Sequence, residues 1–152
     1  PSNLERLNRW SCAYRMFQDK PLLGFGPGTY TYQYGPYQLP HEMSIISTSS
    51  GNIGGVHSEY LRPLSESGLP GFLLYVTFIL IAVYQGFYVY FHSKNAEIRL
   101  LAMAVLLGVV TYFVHGLLNN YSDFDKIAVP LWSFVAILSA LKIKGRKLEG
   151  TD

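Results

Sequence analysis

The sequence predicts an all-α membrane protein, with an outward-facing segment over residues 1–68 followed by three transmembrane helices. Three observations predict it. Only 14% of the 152 residues are charged, against about 25% in an ordinary soluble domain. Mean hydropathy is positive, at +0.17. The apolar residues gather into three runs after residue 68 instead of spreading along the chain. The same composition excludes other classes. Disorder needs low hydrophobicity and high net charge. A disulfide scaffold needs paired cysteines, and Cys12 is alone. A net charge of +2 is too mild for a nucleic-acid partner. The chain begins at Pro1 with no signal-peptide pattern, so it reads as a piece of something longer.

The outward segment opens with an amphipathic helix over residues 2–19. Ser2 and Glu5 fit a capping box. Leu7, Trp10, Tyr14 and Phe17 fall at helical spacing, which predicts an apolar stripe packed inward with Arg6 beside it. Pro21 ends the helix, because the residue before proline disfavours helical geometry. Gly24-Phe25-Gly26-Pro27-Gly28 looks like a phosphate loop, but Pro27 has no N–H to offer an anion, so a chain-reversing turn is expected. Tyr30, Tyr32 and Tyr34 then share one face if the segment is extended, with sugar stacking, interfacial placement or plain packing all open. From Met43 to Val56 the chain is rich in Ser and Gly, including Ser47-Thr48-Ser49-Ser50-Gly51, and reads as a loop. His57 closes it and begins a charged stretch with Glu59, Arg62 and Glu66. An imidazole near its ordinary pKa of about 6.5 suits proton acceptance near neutral pH. His41, His57 and Cys12 lack the spacing of a zinc site, and no metal or cofactor is expected.

The first apolar run, Leu69 to Phe91, has 23 residues without a charge. At a rise of about 1.5 Å per residue it crosses a hydrocarbon core of about 30 Å. Residues 92–99 form a loop. The second run, Leu100 to Leu118, has 19 residues and contains His115. An ionisable group there is a functional candidate by default, with a neutral interhelical role as the plainer reading. Residues 119–126 form the next loop. The third run, Ile127 to Leu141, has only 15 residues. Lys142 and Lys144 would have to snorkel for it to span. A tail follows over 142–152. His92, Lys94 and Arg99 in the first loop, and Lys142, Lys144, Arg146 and Lys147 in the tail, place both in the cytoplasm by the positive-inside rule. Residues 1–68 and 119–126 then face outward. Three buried helices of a soluble domain would not lack charge over such lengths.

The order of these features resembles the bacterial O-antigen ligase and polymerase family. The resemblance rests on Arg6-Leu7-Asn8-Arg9-Trp10, then Pro21-Leu22-Leu23-Gly24-Phe25-Gly26-Pro27-Gly28, then His57-Ser58-Glu59-Tyr60-Leu61 and Glu66-Ser67-Gly68-Leu69-Pro70-Gly71. It covers about the first half of the chain. Each motif alone is weak, and their order and spacing make the set fairly specific. Ser58 stands where the family pattern has Asn. Pro63 falls in a stretch expected to be helical and points to a kink there.

The resemblance implies a polytopic helical bundle of the lipid-carrier-dependent glycosyltransferase type in the bacterial cytoplasmic membrane. This chain would be roughly its C-terminal third, inactive alone, with residues 1–68 facing the periplasm. The implied donor is an undecaprenyl-diphosphate-linked glycan, and the acceptor hydroxyl belongs to a lipid A core, a growing glycan or a protein. Membrane lipids are the other expected partner. No metal is implied. Arg6 matches the family's diphosphate-binding arginine and His57 its catalytic histidine. Arg9, Arg15 and Arg62 are further diphosphate candidates, Tyr30 a sugar candidate, and Glu59 and Glu66 candidates for tuning the site. A non-enzymatic transporter subunit or assembly scaffold with an external domain is the alternative.

Overall fold

The computed structural model describes residues 3–47, 54–121 and 125–149, with side chains described as far as Arg146. Ser2, residues 48–53, Asp123 and the side chain of Lys147 therefore lie outside the described residues. The described chain is helical, without a strand. It comprises α1 (Asn3–Asp19), α2 (Tyr30–Gln33), a 3₁₀ turn (Gly35–Tyr37), α3 (Leu61–His92), α4 (Ala96–Gly116) and α5 (Asp125–Glu149). Two compact units form. One contains the chain up to Val76 together with Gly116–Asn120. The other contains Thr77–His115 and the chain from Tyr121 onward.

In the first unit, α1 turns an unexpected face inward. Glu5, Asn8, Arg9, Cys12, Ala13 and Met16 are buried, and Leu7 and Tyr14 of the expected stripe are exposed. Cys12, Ala13 and Met16 pack with Tyr30, Tyr34 and Val56, and Trp10 covers the cluster from its edge. The polar residues bury because each finds a partner. Arg9 pairs with Glu5 at 2.9 Å, and Asn8 donates to Gln38 Oε1 at 3.0 Å. The tyrosines are helical rather than extended. Tyr30 and Tyr34, four apart on α2 and its cap, stack at 5.1 Å, while Tyr32 is exposed.

The glycine segment forms turns, and it also completes α3. That helix breaks at Gly68 (φ 66°, ψ −163°), not at Pro63. Pro63 lies in the first turn, where a missing N–H costs nothing. At the break, Ser65 and Glu66 lose their helical donors, because Leu69 N–H turns away and Pro70 has none. The loop supplies replacements: Phe25 N–H donates to Ser65 O at 3.2 Å and Gly26 N–H to Glu66 O at 2.8 Å, while Leu69 N–H donates to Pro21 O at 2.8 Å. The approach is so close that a Cβ on Gly24 would lie 2.4 Å from the Glu66 carbonyl carbon, and one on Gly68 would lie 2.6 Å from Leu22. Both residues also have positive φ, which glycine alone adopts without strain.

The second unit holds three helices long and apolar enough to cross a membrane, counting α3 from its start in the first unit. The third, measured as Asp125–Arg146, has 22 residues. It exceeds the expected 15 because Lys126 precedes the apolar run and Lys142 and Lys144 continue the helix beyond it. Packing follows membrane rules, with small residues at close approaches and polar groups paired between helices. Gly86 of α3 lies against Leu106 of α4, and Gly108 of α4 against Phe134 of α5. Ser139 of α5 donates to Gln85 Oε1 of α3 at 2.9 Å. Only 17%, 33% and 17% of the three apolar windows are buried in the protein. Surfaces this apolar and this open suit lipid rather than water as solvent.

Candidate functional site

The site begins with the i,i+4 spacing of Glu5 and Arg9, which places both on the inner face of α1. The Glu5 carboxylate accepts the hydroxyls of Ser44 and Ser47, the latter at 2.6 Å. Burial opposes its ionisation, but these bonds and Arg9 outweigh burial and hold its carboxyl below the ordinary value. Glu5 in turn fixes Arg9. The Arg9 guanidinium donates to Gly55 O at 3.2 Å and presents Nη1 to His57 Nε2 at 3.3 Å. A Cβ on Gly54 would lie 2.1 Å from Nη1, so the loop backbone fits closely against the guanidinium.

His57 is left-handed, with φ 57°, a conformation that costs a non-glycine residue energy and needs support from its surroundings. That support comes from both sides. Trp10 Nε1 donates to His57 O at 3.3 Å. Ser58 is buried, and its hydroxyl accepts the N–H groups of Tyr60 and Leu61 at 3.4 Å each. This is the work of an N-cap, which Asn and Ser share. Next, Glu59 N–H donates to Gly116 O at 2.8 Å. The stretch after α4 thus belongs to the same unit as His57, and Asn120 lies against Gly55.

The surroundings of the ring favour its neutral form. Burial lowers the pKa of His57 from 6.5, and the charges of Arg9 and Arg6 lower it further. Since a guanidinium cannot accept a proton, the Nε2 facing Arg9 is the unprotonated nitrogen. Arg6 lies close enough for its charge to act on His57, and its buried Nε has no hydrogen-bond partner among the described residues. The arrangement therefore offers a neutral base beside two guanidinium groups, one anchored by Glu5 and one with donor capacity unspent.

The other expected site residues are placed elsewhere in the unit. Arg15 donates to Tyr37 O at 2.8 Å and to both oxygens of Glu42 at 2.6 Å. Tyr30 is buried, and its hydroxyl donates to Arg9 O at 2.8 Å, so its ring presents no face to a sugar. Glu66 accepts Gly28 N–H at 2.9 Å and Tyr30 N–H at 3.1 Å, locking the glycine turn from inside. Arg62 pairs with Glu66 at 3.3 Å. Glu59 is buried with its side chain against Gly116. His115 ends α4 with its ring 6.4 Å from Tyr121. Among the described residues no three His, Cys, Asp or Glu side chains converge as a metal site.

Sequence reasoning singled out His57, Arg6 and Arg9 but missed Glu5 as the anchor and Trp10 as the support of His57. The Glu5–Arg9 spacing carried the first signal. A long-range contact such as Trp10 to His57 leaves none in one sequence. No curated protein and no solved structure matches the chain. A family model described as O-Antigen ligase matches residues 1–76, half of the 152.

Proposed function

This chain belongs to the O-antigen ligase family, and from that membership we propose that it transfers a polyprenyl-diphosphate-linked glycan to an acceptor hydroxyl at the outer face of the bacterial cytoplasmic membrane. Membership carries a ligase- or polymerase-type role in polysaccharide biosynthesis. The observation that supports the finer reading is the Arg9–His57 contact, 3.3 Å between Nη1 and Nε2, with Arg6 alongside.

In this reaction the acceptor oxygen bonds to the anomeric carbon of the donor sugar, and the bond from that carbon to the diphosphate breaks. The hydroxyl proton passes to His57, whose neutral ring has its lone pair at Nε2. An acceptor hydroxyl that takes the place of the Arg9 N–H at Nε2 gives its proton to the ring and keeps its oxygen beside the guanidinium, which stabilises developing negative charge. The leaving diphosphate gains one negative charge. Arg6, whose Nε has no hydrogen-bond partner among the described residues, offers a planar guanidinium to meet that charge. General-base assistance of this kind typically contributes about 10²–10⁴-fold. The acceptor class divides ligase from polymerase: a lipid A core or a protein in the first case, a growing glycan in the second.

Donor class is tested by reconstituting the full-length protein in liposomes with a synthetic polyprenyl-diphosphate oligosaccharide and a hydroxyl acceptor. One polyprenyl diphosphate should be released for each glycan transferred. Transfer from a nucleotide sugar alone, or no release of the lipid diphosphate, would contradict the reading.

A further inference from the structure

The loop between α1 and the glycine turn carries an apolar tip that faces outward. Pro21, Leu22 and Leu23 are all exposed, Leu22 by 69% and Leu23 by 83%. Water opposes such a surface, yet the backbone holds it in place. Gly24 N–H donates to Lys20 O at 3.0 Å and closes a turn around the three residues. Pro21 O accepts Leu69 N–H at 2.8 Å, and Phe25 N–H donates to Ser65 O at 3.2 Å. Both ends of the tip are therefore fastened to α3. Its backbone also lies against Gly68, where a Cβ would come within 2.6 Å of Leu22. The contacts that complete α3 thus keep both leucines turned out.

Depth identifies what covers them. The last charge before the apolar run of α3 is Glu66, and the run extends from Leu69 to Phe91. Its 23 residues rise about 35 Å, only about 5 Å more than a hydrocarbon core. A membrane crossed by α3 therefore begins close to Leu69, and the tip lies beside that residue. Below the loop, Leu69, Leu73 and Leu74 are exposed too, so apolar surface continues in depth from loop to helix. Composition agrees. Lys20 at the stem holds its Nζ 4.4 Å from the centre of the Phe25 ring, and lysine beside an aromatic ring is characteristic of the membrane interface. Three side chains also fall well short of the ~800 Å² per partner of a stable protein contact. They suffice as a wedge where a membrane helix is already at hand.

We propose that Pro21, Leu22 and Leu23 insert into the phospholipid interface of the leaflet that α3 enters at Leu69, with Lys20 at headgroup level. The contact fixes the glycine turn at the membrane surface. It does not depend on the reaction proposed above.

The test uses full-length protein carrying Leu23→Cys, labelled with the fluorophore NBD and reconstituted in phosphatidylcholine liposomes. The unsubstituted protein, whose Cys12 is buried, sets the background. Emission should be blue-shifted. A nitroxide near the carbonyl end of the lipid acyl chain should quench it at least about twofold more than one near the methyl end, because interfacial side chains reach only about 5–10 Å below the headgroups. Iodide in the water should quench it less than either lipid. The label at Leu22→Cys should behave alike. Adding Leu22→Asp to the labelled Leu23→Cys protein should remove at least about half of the lipid quenching, since a carboxylate draws the tip toward water. Stronger quenching by iodide than by lipid would overturn the proposal. Blue-shifted emission that neither quencher reaches would also overturn it, assigning the tip to a protein contact.

Discussion

At His57, burial and the charges of Arg9 and Arg6 act in the same sense, all favouring the neutral ring. The folded-state pKa therefore lies below the unfolded value near 6.5. Stability from the neutral ring is present above that value and is lost as pH falls through the folded pKa. Transfer should follow the same ionisation, holding through neutral pH and declining only below 6.5. Arg6→Gln removes one cation and should raise the His57 pKa, with burial and Arg9 still holding it below 6.5. An NMR titration of the His57 ring reads this directly, and an unchanged or lowered pKa would contradict it. Arg9 has a second duty. Arg9→Gln leaves the Glu5 carboxylate buried without its cation and should cost about 3–5 kcal/mol. Adding Glu5→Gln should recover part of that loss in thermal unfolding. Cys12 needs no role in chemistry. Its thiol is buried, and burial pushes its pKa up to about 11, so it should resist alkylation in the folded protein.

Among the elements, the most informative is the pairing of the glycine turn with the break in α3. The sequence motifs around Gly24 and Gly68 are far apart in the chain, yet each satisfies backbone groups that the other exposes. Gly24→Ala and Gly68→Ala should each cost about 2–3 kcal/mol, because a Cβ strikes the opposing backbone and the positive φ is strained. Exposed Gly28, where a Cβ would meet nothing within 4 Å, should tolerate Ala with a smaller loss. A turn was legible here because Pro27 lacks an N–H. The position of the break was not, because Pro63 and Pro70 look alike until the start of α3 is known. Likewise, the 3.6-residue period identified α1 but not its inner face. Hydrophobicity favoured Leu7 and Tyr14, whereas paired polar groups, Glu5 with Arg9 and Asn8 with Gln38, took the interior. The spacing of Tyr30, Tyr32 and Tyr34 by two suggested an extended segment, whereas the structure is helical there and residues four apart stack.

For the whole molecule, composition carried most of the information. The absence of charge over long runs foretold three apolar helices, because hydrocarbon excludes charge regardless of detailed packing. All three helices are longer than their apolar runs, 32, 21 and 22 residues against 23, 19 and 15, since polar residues and lysines at a helix end do not stop the helix. The candidate site was legible in its residue types and hidden in its geometry: a single sequence shows that His57 and two arginines exist, but not that Glu5 orients Arg9 or that Trp10 supports His57. The central claim is that neutral His57 removes the acceptor proton. The most direct measurement is single-turnover glycan transfer by the full-length His57→Ala protein, reconstituted at wild-type abundance with donor binding measured in parallel. Transfer should fall by at least about 100-fold, the low end of general-base catalysis, with donor binding retained. Transfer within a few-fold of wild type would contradict the claim.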